Sequence, residues 1–321
     1  MPPIAVDNEV GNTGFKAKSV ESPQDTQTGQ SFRREARAGR FTGQTAGAAP
    51  SYVQANLIVL PSEYASDFRL LCQRNPVPCP LLAESKGPGI FHQLKSWTTN
   101  LSGEQIANDI DLRNDFPKYM VYEDGKLTKS HCADVEREWT DRHVGFLVGC
   151  SFSFEGALAE AGLSPVHVVR KRNVSMYRTN IPLCPAGVFQ NSTYIVSMRP
   201  YKRKDIDAVR SISRPYVSTH GEPIDWGWDA VARLGIEDLG IPAYGDAPVN
   251  MDGSPFVRGS NVEGDDEVVP VFWGCGVTPQ EAIQRAGLAG TIMAHAPGHM
   301  TVLDIRDWDI IPDVARAGVD S

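Results

Sequence analysis

Two Gly-Cys pairs, each at the end of an apolar segment, are the residues whose type and setting most favour chemistry. Cys150 follows the strand-like segment Val144–Val148 and Cys275 follows Val268–Trp273, and a helical pattern comes after each pair. A turn from strand to helix presents backbone N–H groups and the positive end of a helix, where small anions bind and where the pKa of a thiol falls. Both cysteines are therefore candidate acid–base groups, although cysteine also suits a tight buried turn because it is small.

The residues just after the cysteines extend this pattern. Ser151 follows the first cysteine directly, and Thr278 stands where a helix beginning Thr-Pro-Gln-Glu would be capped, with Glu281 completing a capping box. We expect both hydroxyls to help hold a substrate carboxylate. The segment Phe146–Ser153 also matches Val271–Thr278 in its Gly-Cys pair, which indicates either an internal duplication or a chance likeness between two short segments.

Three histidines in Gly- and Pro-containing turns are candidates for proton transfer. His295 and His299 flank Ala-Pro-Gly, so they lie in a loop, and His220 precedes Gly-Glu-Pro. The i, i+4 spacing of the first two would suit a metal only on a helix, and no glutamate stands between them as in HExxH. We expect titrating imidazoles and no metal site, with His220 near the substrate.

Two arginines near turn-forming prolines are candidate carboxylate ligands. Arg178 lies in Met176–Pro182 together with Asn180, and Arg199 directly precedes Pro200. The guanidinium fork binds a carboxylate through two parallel hydrogen bonds. The ordinary alternative, a surface arginine or an internal ion pair, is at least as good an interpretation of each arginine taken alone.

Composition narrows the class of protein. The 321 residues are 41% hydrophobic and 22% charged, as in globular proteins, and the net charge of −8 with no basic stripe argues against nucleic acid as a partner. No apolar run reaches the roughly 18 residues of a membrane helix. The six cysteines form no CxxC motif, and no secretory segment opens the chain. We expect reduced thiols and a cytoplasmic location, with a mitochondrial one less favoured because acidic residues are spread through the first 50 residues. No phosphate loop or cofactor motif occurs, so we expect no cofactor.

The order of apolar and polar segments predicts the organisation of the chain. Residues 1–28 are polar and aperiodic, which indicates a disordered leader. Residues 29–321 form the main body, for which two strand–Gly-Cys turn–helix units predict an α/β fold of two lobes with a mixed, partly parallel sheet. The smaller lobe is expected from about residues 110–235. Whether the chain forms a homo-oligomer is left open.

Several long segments resemble the D-glutamate cyclase family, whose bacterial members are described as hydro-lyases. In chain order they are Phe41–Asn56, Cys72–Leu82, Phe146–Glu155, Arg172–Pro182, Val196–Pro200, Val271–Gln280 and His295–Met300. The resemblance runs collinearly from about residue 32 to residue 307.

The resemblance implies a hydro-lyase that cyclises D-glutamate to 5-oxo-D-proline with loss of water, or that dehydrates a related small amino or hydroxy acid. It identifies no catalytic residues. Residues 90–108, which look like an insertion, leave a changed substrate open. The alternative function is a non-catalytic protein that binds dicarboxylates or amino acids on the same fold.

Overall fold

The computed structural model describes residues 27–260 and 267–312, which form two β-sheets and several short helices. The strands are β1 (Tyr52–Pro61), β2 (Leu81–Ser85), β3 (Leu94–Ser96), β4 (Tyr119–Glu123), β5 (Lys126–Cys132), β6 (His143–Gly149), β7 (Ser175–Pro182), β8 (Thr193–Lys202), β9 (Asp225–Trp226), β10 (Val268–Gly274), β11 (Thr291–His295) and β12 (Thr301–Arg306). The α-helices are α1 (Gly29–Arg37), α2 (Ala65–Arg74), α3 (Gly103–Ile106), α4 (Glu155–Glu160), α5 (Val166–Val169), α6 (Ile206–Ser213), α7 (Trp228–Arg233) and α8 (Thr278–Ala286).

The described strands pair only in antiparallel fashion. The first sheet has the order β3-β2-β6-β1-β11-β4-β5, with β12 also paired to β1, and the second has the order β7-β8-β10-β9. The α/β class is confirmed, but the prediction of a partly parallel sheet is wrong. The next strand after β6 and α4 is β7, in the other sheet, and the next strand after β10 and α8 is β11, again in the other sheet. Neither helix therefore returns the chain to a parallel neighbour, as a βαβ unit would.

Both faces of the first sheet are covered, which explains why β1 reads as an almost continuous apolar run. Leu57 and Val59 point into one hydrophobic cluster, and Ile58 and Leu60 point into another on the opposite face. This alternation is the period of two expected of a strand. The buried centre of the sheet gives the ends of β1 and β6 a rigid base.

The predicted leader lies almost wholly outside the described residues, because description begins at residue 27. Thr28 already belongs to the body, since its side chain accepts a hydrogen bond from the Ser31 N–H and caps α1. The division into a leader and a body with two lobes stays a prediction. No helix within residues 27–260 or 267–312 is long and apolar enough to cross a membrane.

Candidate functional site

The two Gly-Cys turns are anchored by the same backbone hydrogen bond. The Cys150 N–H donates to the carbonyl of Gln54 on β1 at 3.1 Å, and the Cys275 N–H donates to the carbonyl of Ile195 on β8 at 3.1 Å. The strand registers also agree. Gly149 pairs with Ala55, the residue after Gln54, and Gly274 pairs with Val196, the residue after Ile195. Each turn is thus held by its antiparallel neighbour in the same way.

In each turn, the hydroxyl three residues after the cysteine accepts a hydrogen bond from the neighbouring strand. The Ser153 Oγ accepts a hydrogen bond from the Gln54 N–H at 3.0 Å, and the Thr278 Oγ1 accepts one from the Ile195 N–H at 3.0 Å. Thr278 therefore does not cap α8: Val277 stands at the cap position, and the predicted capping box is wrong because the hydroxyl is already used across the sheet.

The elements that lead into the turns repeat as well. β1 continues into a 3₁₀ turn at Ser62–Tyr64 and then α2, and β8 continues into a 3₁₀ turn at Arg203–Asp205 and then α6. This agreement in contacts and element order favours an internal structural repeat over a chance likeness of the two sequence segments.

The two turns lie next to each other, with Asn56 of β1 between them. Its Nδ2 donates to the Gly149 carbonyl at 2.9 Å, and a Cβ atom built on Gly276 would lie 1.9 Å from that same Nδ2. Only glycine fits there. Cys150 and Cys275 belong to one buried cluster. The two turns are therefore neighbours, and their sharing a site stays a prediction.

The thiols are buried, and this changes their expected acidity. Burial raises the pKa of Cys150 well above its ordinary value, and burial raises the pKa of Cys275 to about 11, although a backbone hydrogen bond and the charge of Arg199 partly oppose the latter shift. The expected lowering of the pKa at a helix N-terminus is wrong here, because desolvation outweighs it. Near neutral pH both groups are thiols, which can donate a proton but not accept one.

Arg199 is fully buried and already paired. Its guanidinium donates to Glu155, to the Ser151 Oγ at 2.9 Å and to the Ser197 Oγ at 3.0 Å. It also lies over the Trp273 ring, 5.1 Å from the centroid. Burial raises the pKa of Glu155, but the charges of His167 and Arg199 outweigh this effect and leave it below the ordinary value. Of the two interpretations of Arg199, the geometry favours the internal ion pair, with Ser151 as part of it.

Arg178 and Asn180 lie at the surface, apart from this pair. The Arg178 side chain is 47% exposed and donates to Glu281 of α8 at 3.0 Å and to the Tyr244 hydroxyl at 3.1 Å. The exposed Asn180 donates to the Arg233 carbonyl. A role for either residue in substrate binding stays a prediction.

The three candidate histidines, His220, His295 and His299, are neutral near pH 7. The His295 Nδ1 lies 3.1 Å from the Leu57 N–H and 3.0 Å from the Gln280 side-chain amide; both are donors, so the ring proton is on Nε2. Burial lowers the pKa of His295 and that of His220 to about 4. Burial also lowers the pKa of His299, whose Nδ1 lies 3.0 Å from the Pro297 carbonyl and donates to it. Neutral imidazoles are proton acceptors, which complements the protonated thiols.

The sequence reasoning did not find a cavity of about 430 Å³ beside the thiol cluster. It is lined by Gln44, Ala46, Gly47, His167, Val168, Lys171 and Arg172. Ala46 packs against the cluster that holds both cysteines, and His167 stacks on Phe152 of that cluster at 5.7 Å. A signal was present, because Gln44 and Arg172 lie in segments that carry the family resemblance.

A second cavity, of about 630 Å³, lies elsewhere. Its walls include Leu163, Tyr201, Asn250 and Val268. None of the residues predicted for the site lines either cavity, but Ala46 and His167 of the smaller one pack against the cluster that holds both cysteines, so we assign the candidate site to the turns and the smaller cavity. Within the described ranges, no group of three or more His, Cys, Asp and Glu side chains could hold a metal ion.

The fold and site define a mixed helix–sheet protein with two equivalent Gly-Cys turns and a small basic cavity beside them. The chain matches the D-glutamate cyclase family over residues 144–304, a range that includes both turns and every predicted site residue. The chain belongs to this family.

Relatives match nearly the whole chain. A protein of Schizosaccharomyces pombe is 40% identical over 273 residues, 85% of this chain and 83% of that one. A protein of Rubrobacter xylanophilus is 43% identical over 86% of this chain and 95% of that one, and one of Corynebacterium urealyticum is 46% identical over 82% and 88%. Each bears the name "putative hydro-lyase".

A solved structure also matches at low similarity. The nitrogen repressor-like protein of Methanococcus jannaschii has a TM-score of 0.33 and 10% identity, and the match covers 88% of this chain and 97% of that one. A likeness this low carries no argument about fold or function.

Proposed function

We propose that this protein is a hydro-lyase that cyclises D-glutamate to 5-oxo-D-proline, with the two Gly-Cys turns as its catalytic centre. Membership of the D-glutamate cyclase family and the hydro-lyase names of its relatives support the reaction class. The location of the catalytic centre is argued from Asn56. Its side chain donates to the Gly149 carbonyl and lies against Gly276, so the two equivalent turns are neighbours.

The reaction needs proton transfer at two atoms. The amine nitrogen forms a bond to the γ-carboxyl carbon, one C–O bond breaks, and the departing oxygen leaves as water with two protons that the ammonium group gives up. A site must therefore accept protons from nitrogen and donate protons to oxygen. No oxidation state changes, so we propose a reaction without a redox cofactor.

The buried groups suit these two tasks. Cys275, with a pKa of about 11, is protonated at neutral pH and far more acidic than water, so it can donate to the leaving oxygen. His299 is neutral and is the acceptor we favour, since the pKa of His295, at about 4, makes it a weaker base. The thiolate then recovers its proton from the imidazolium, which returns the site to its starting state. Cys150 supplies a second donor from the equivalent turn.

The test is turnover of D-glutamate by the purified full chain, measured as 5-oxo-D-proline by chiral chromatography, with L-glutamate as the matched control. We expect steady product formation from the D-enantiomer above the spontaneous rate. Binding of D-glutamate without turnover would contradict the proposal and support the alternative, a non-catalytic acid-binding protein. Turnover of a different small amino or hydroxy acid would keep the hydro-lyase class and reject the substrate.

A further inference from the structure

The cavity of about 430 Å³ beside the thiol cluster has two cationic residues in its wall, Lys171 and Arg172. Its volume lies within the range of small-molecule sites, roughly 300–1,000 Å³. The rest of the lining is formed by Gln44, Ala46, Gly47, His167 and Val168. A basic pocket in a chain of net charge −8 indicates an acidic ligand.

Lys171 and Arg172 differ in their ion pairing from Arg178 and Arg199, the two arginines predicted for the site. Arg199 is paired with Glu155, and Arg178 with Glu281. Throughout residues 27–260 and 267–312, no carboxylate lies within 4.0 Å of Lys171 or Arg172. Among the described residues, the wall thus holds two positive charges without a carboxylate partner.

Arg172 has unused hydrogen-bonding capacity. One terminal nitrogen donates to the Ala247 carbonyl at 3.2 Å, while its Nε is buried and makes no hydrogen bond. The buried Nε is out of reach of a ligand, so Arg172 acts toward the cavity through the charge of its guanidinium and its terminal nitrogens.

Lys171 is held in an unusual backbone conformation. Its φ of +53° lies in the left-handed region, which glycine normally occupies after a helix end such as that of α5. Strain of this kind concentrates at ligand sites. Here it places a lysine, and not a glycine, in the cavity wall.

His167 links the wall of the cavity to the thiol cluster. This side chain stacks on Phe152, which packs in the same cluster as Cys150 and Cys275. Its Nε2 lies 3.2 Å from the Glu155 carboxylate, which Arg199 fixes. A ligand in the cavity therefore contacts a side chain that packs directly against the thiol cluster.

We propose that this cavity recognises the carboxylates of a small dicarboxylic acid, with Lys171 and Arg172 as the charge partners. This inference rests on the proposed function in one respect, that the acid bound here is the one cyclised at the neighbouring turns. The lysine supplies a point charge on a flexible stem, and the arginine supplies its planar guanidinium charge.

The test uses glutarate, a five-carbon dicarboxylate without an amine, which binds but cannot cyclise. Titration calorimetry on the full chain should show binding that weakens at least tenfold in Lys171→Met and in Arg172→Met. The matched control is Arg170→Met, which removes one positive charge from the same helix end. Arg170 is a suitable control because it donates to the Met251 carbonyl and does not line the cavity. Its affinity should equal that of the unaltered protein. Lys171 is exposed, so we expect Lys171→Met to fold. This variant still tests the proposal if Arg172→Met fails to fold.

The outcomes separate this inference from the proposed function. Glutarate affinity that is equal in all four proteins, or absent in the unaltered one, overturns the inference. If Lys171→Met turns over D-glutamate with an unchanged KM, the inference about the cavity is overturned and the hydro-lyase proposal stands. Glutarate binding that depends on Lys171 and Arg172, in a protein without lyase activity, supports the cavity and rejects the hydro-lyase proposal.

Discussion

Cys275→Ser and Cys150→Ser are each expected to lower the turnover of D-glutamate about a hundredfold or more, with the fold intact. Serine keeps the size of the side chain, but its hydroxyl is far less acidic than a thiol whose pKa is about 11, so it cannot donate to the leaving oxygen. The measurement is kcat for 5-oxo-D-proline formation, with circular dichroism to verify folding.

The matched control is Cys184→Ser, since Cys184 is an exposed free cysteine outside the cluster. It should retain full turnover. If Cys150→Ser and Cys275→Ser also retain it, both cysteines serve only to fill crowded turns. The histidines, His299 first, would then be the leading proton-transfer groups.

Arg199→Met should destabilise the protein by about 3–5 kcal/mol, because it leaves the buried Glu155 carboxylate without its arginine and with only His167 beside it. The control is Arg178→Met, which also breaks an arginine–glutamate pair, but this arginine is 47% exposed and its buried partner Glu281 keeps hydrogen bonds from Arg285 and the Tyr244 hydroxyl. That change should cost less than about 1 kcal/mol. Urea denaturation of both variants gives the comparison directly.

A third variant shows whether the charge is the cause. Arg199→Met combined with Glu155→Leu removes both charges and should regain much of the lost stability, since apolar replacement of a whole buried pair is often nearly neutral. Equal destabilisation by Arg199→Met and Arg178→Met would contradict the assignment of Arg199 as an internal ion pair.

The sequence was sufficient to predict the strands and glycines that lead into the two Gly-Cys turns. The apolar runs that became β6 and β10 have local signals, and so do the glycines that end them, because a buried strand needs a continuous apolar run and a tight turn needs a small residue. Pairing direction has no such signal. It depends on which sheet the next strand joins, and this is decided by packing between distant segments.

The pKa values and ion-pair partners of the site residues were harder to predict from the sequence, because they also depend on packing between distant segments. The pKa of Cys275 depends on how completely the cluster excludes water, which a local motif does not encode. Arg199 and Glu155 are 44 residues apart in sequence, so an isolated Arg-Pro pair does not reveal its partner. His167 and Lys171 occur in no motif and acquire meaning only from the cavity they line.

The most direct test of the account is a crystal structure of the protein with 5-oxo-D-proline. The account predicts the product in the cavity lined by His167, Lys171 and Arg172, with its carboxylate on the two cations and its ring toward Phe152 and the Gly-Cys turns. Product bound instead in the larger cavity, between Tyr201 and Asn250, would contradict the assignment of the active site.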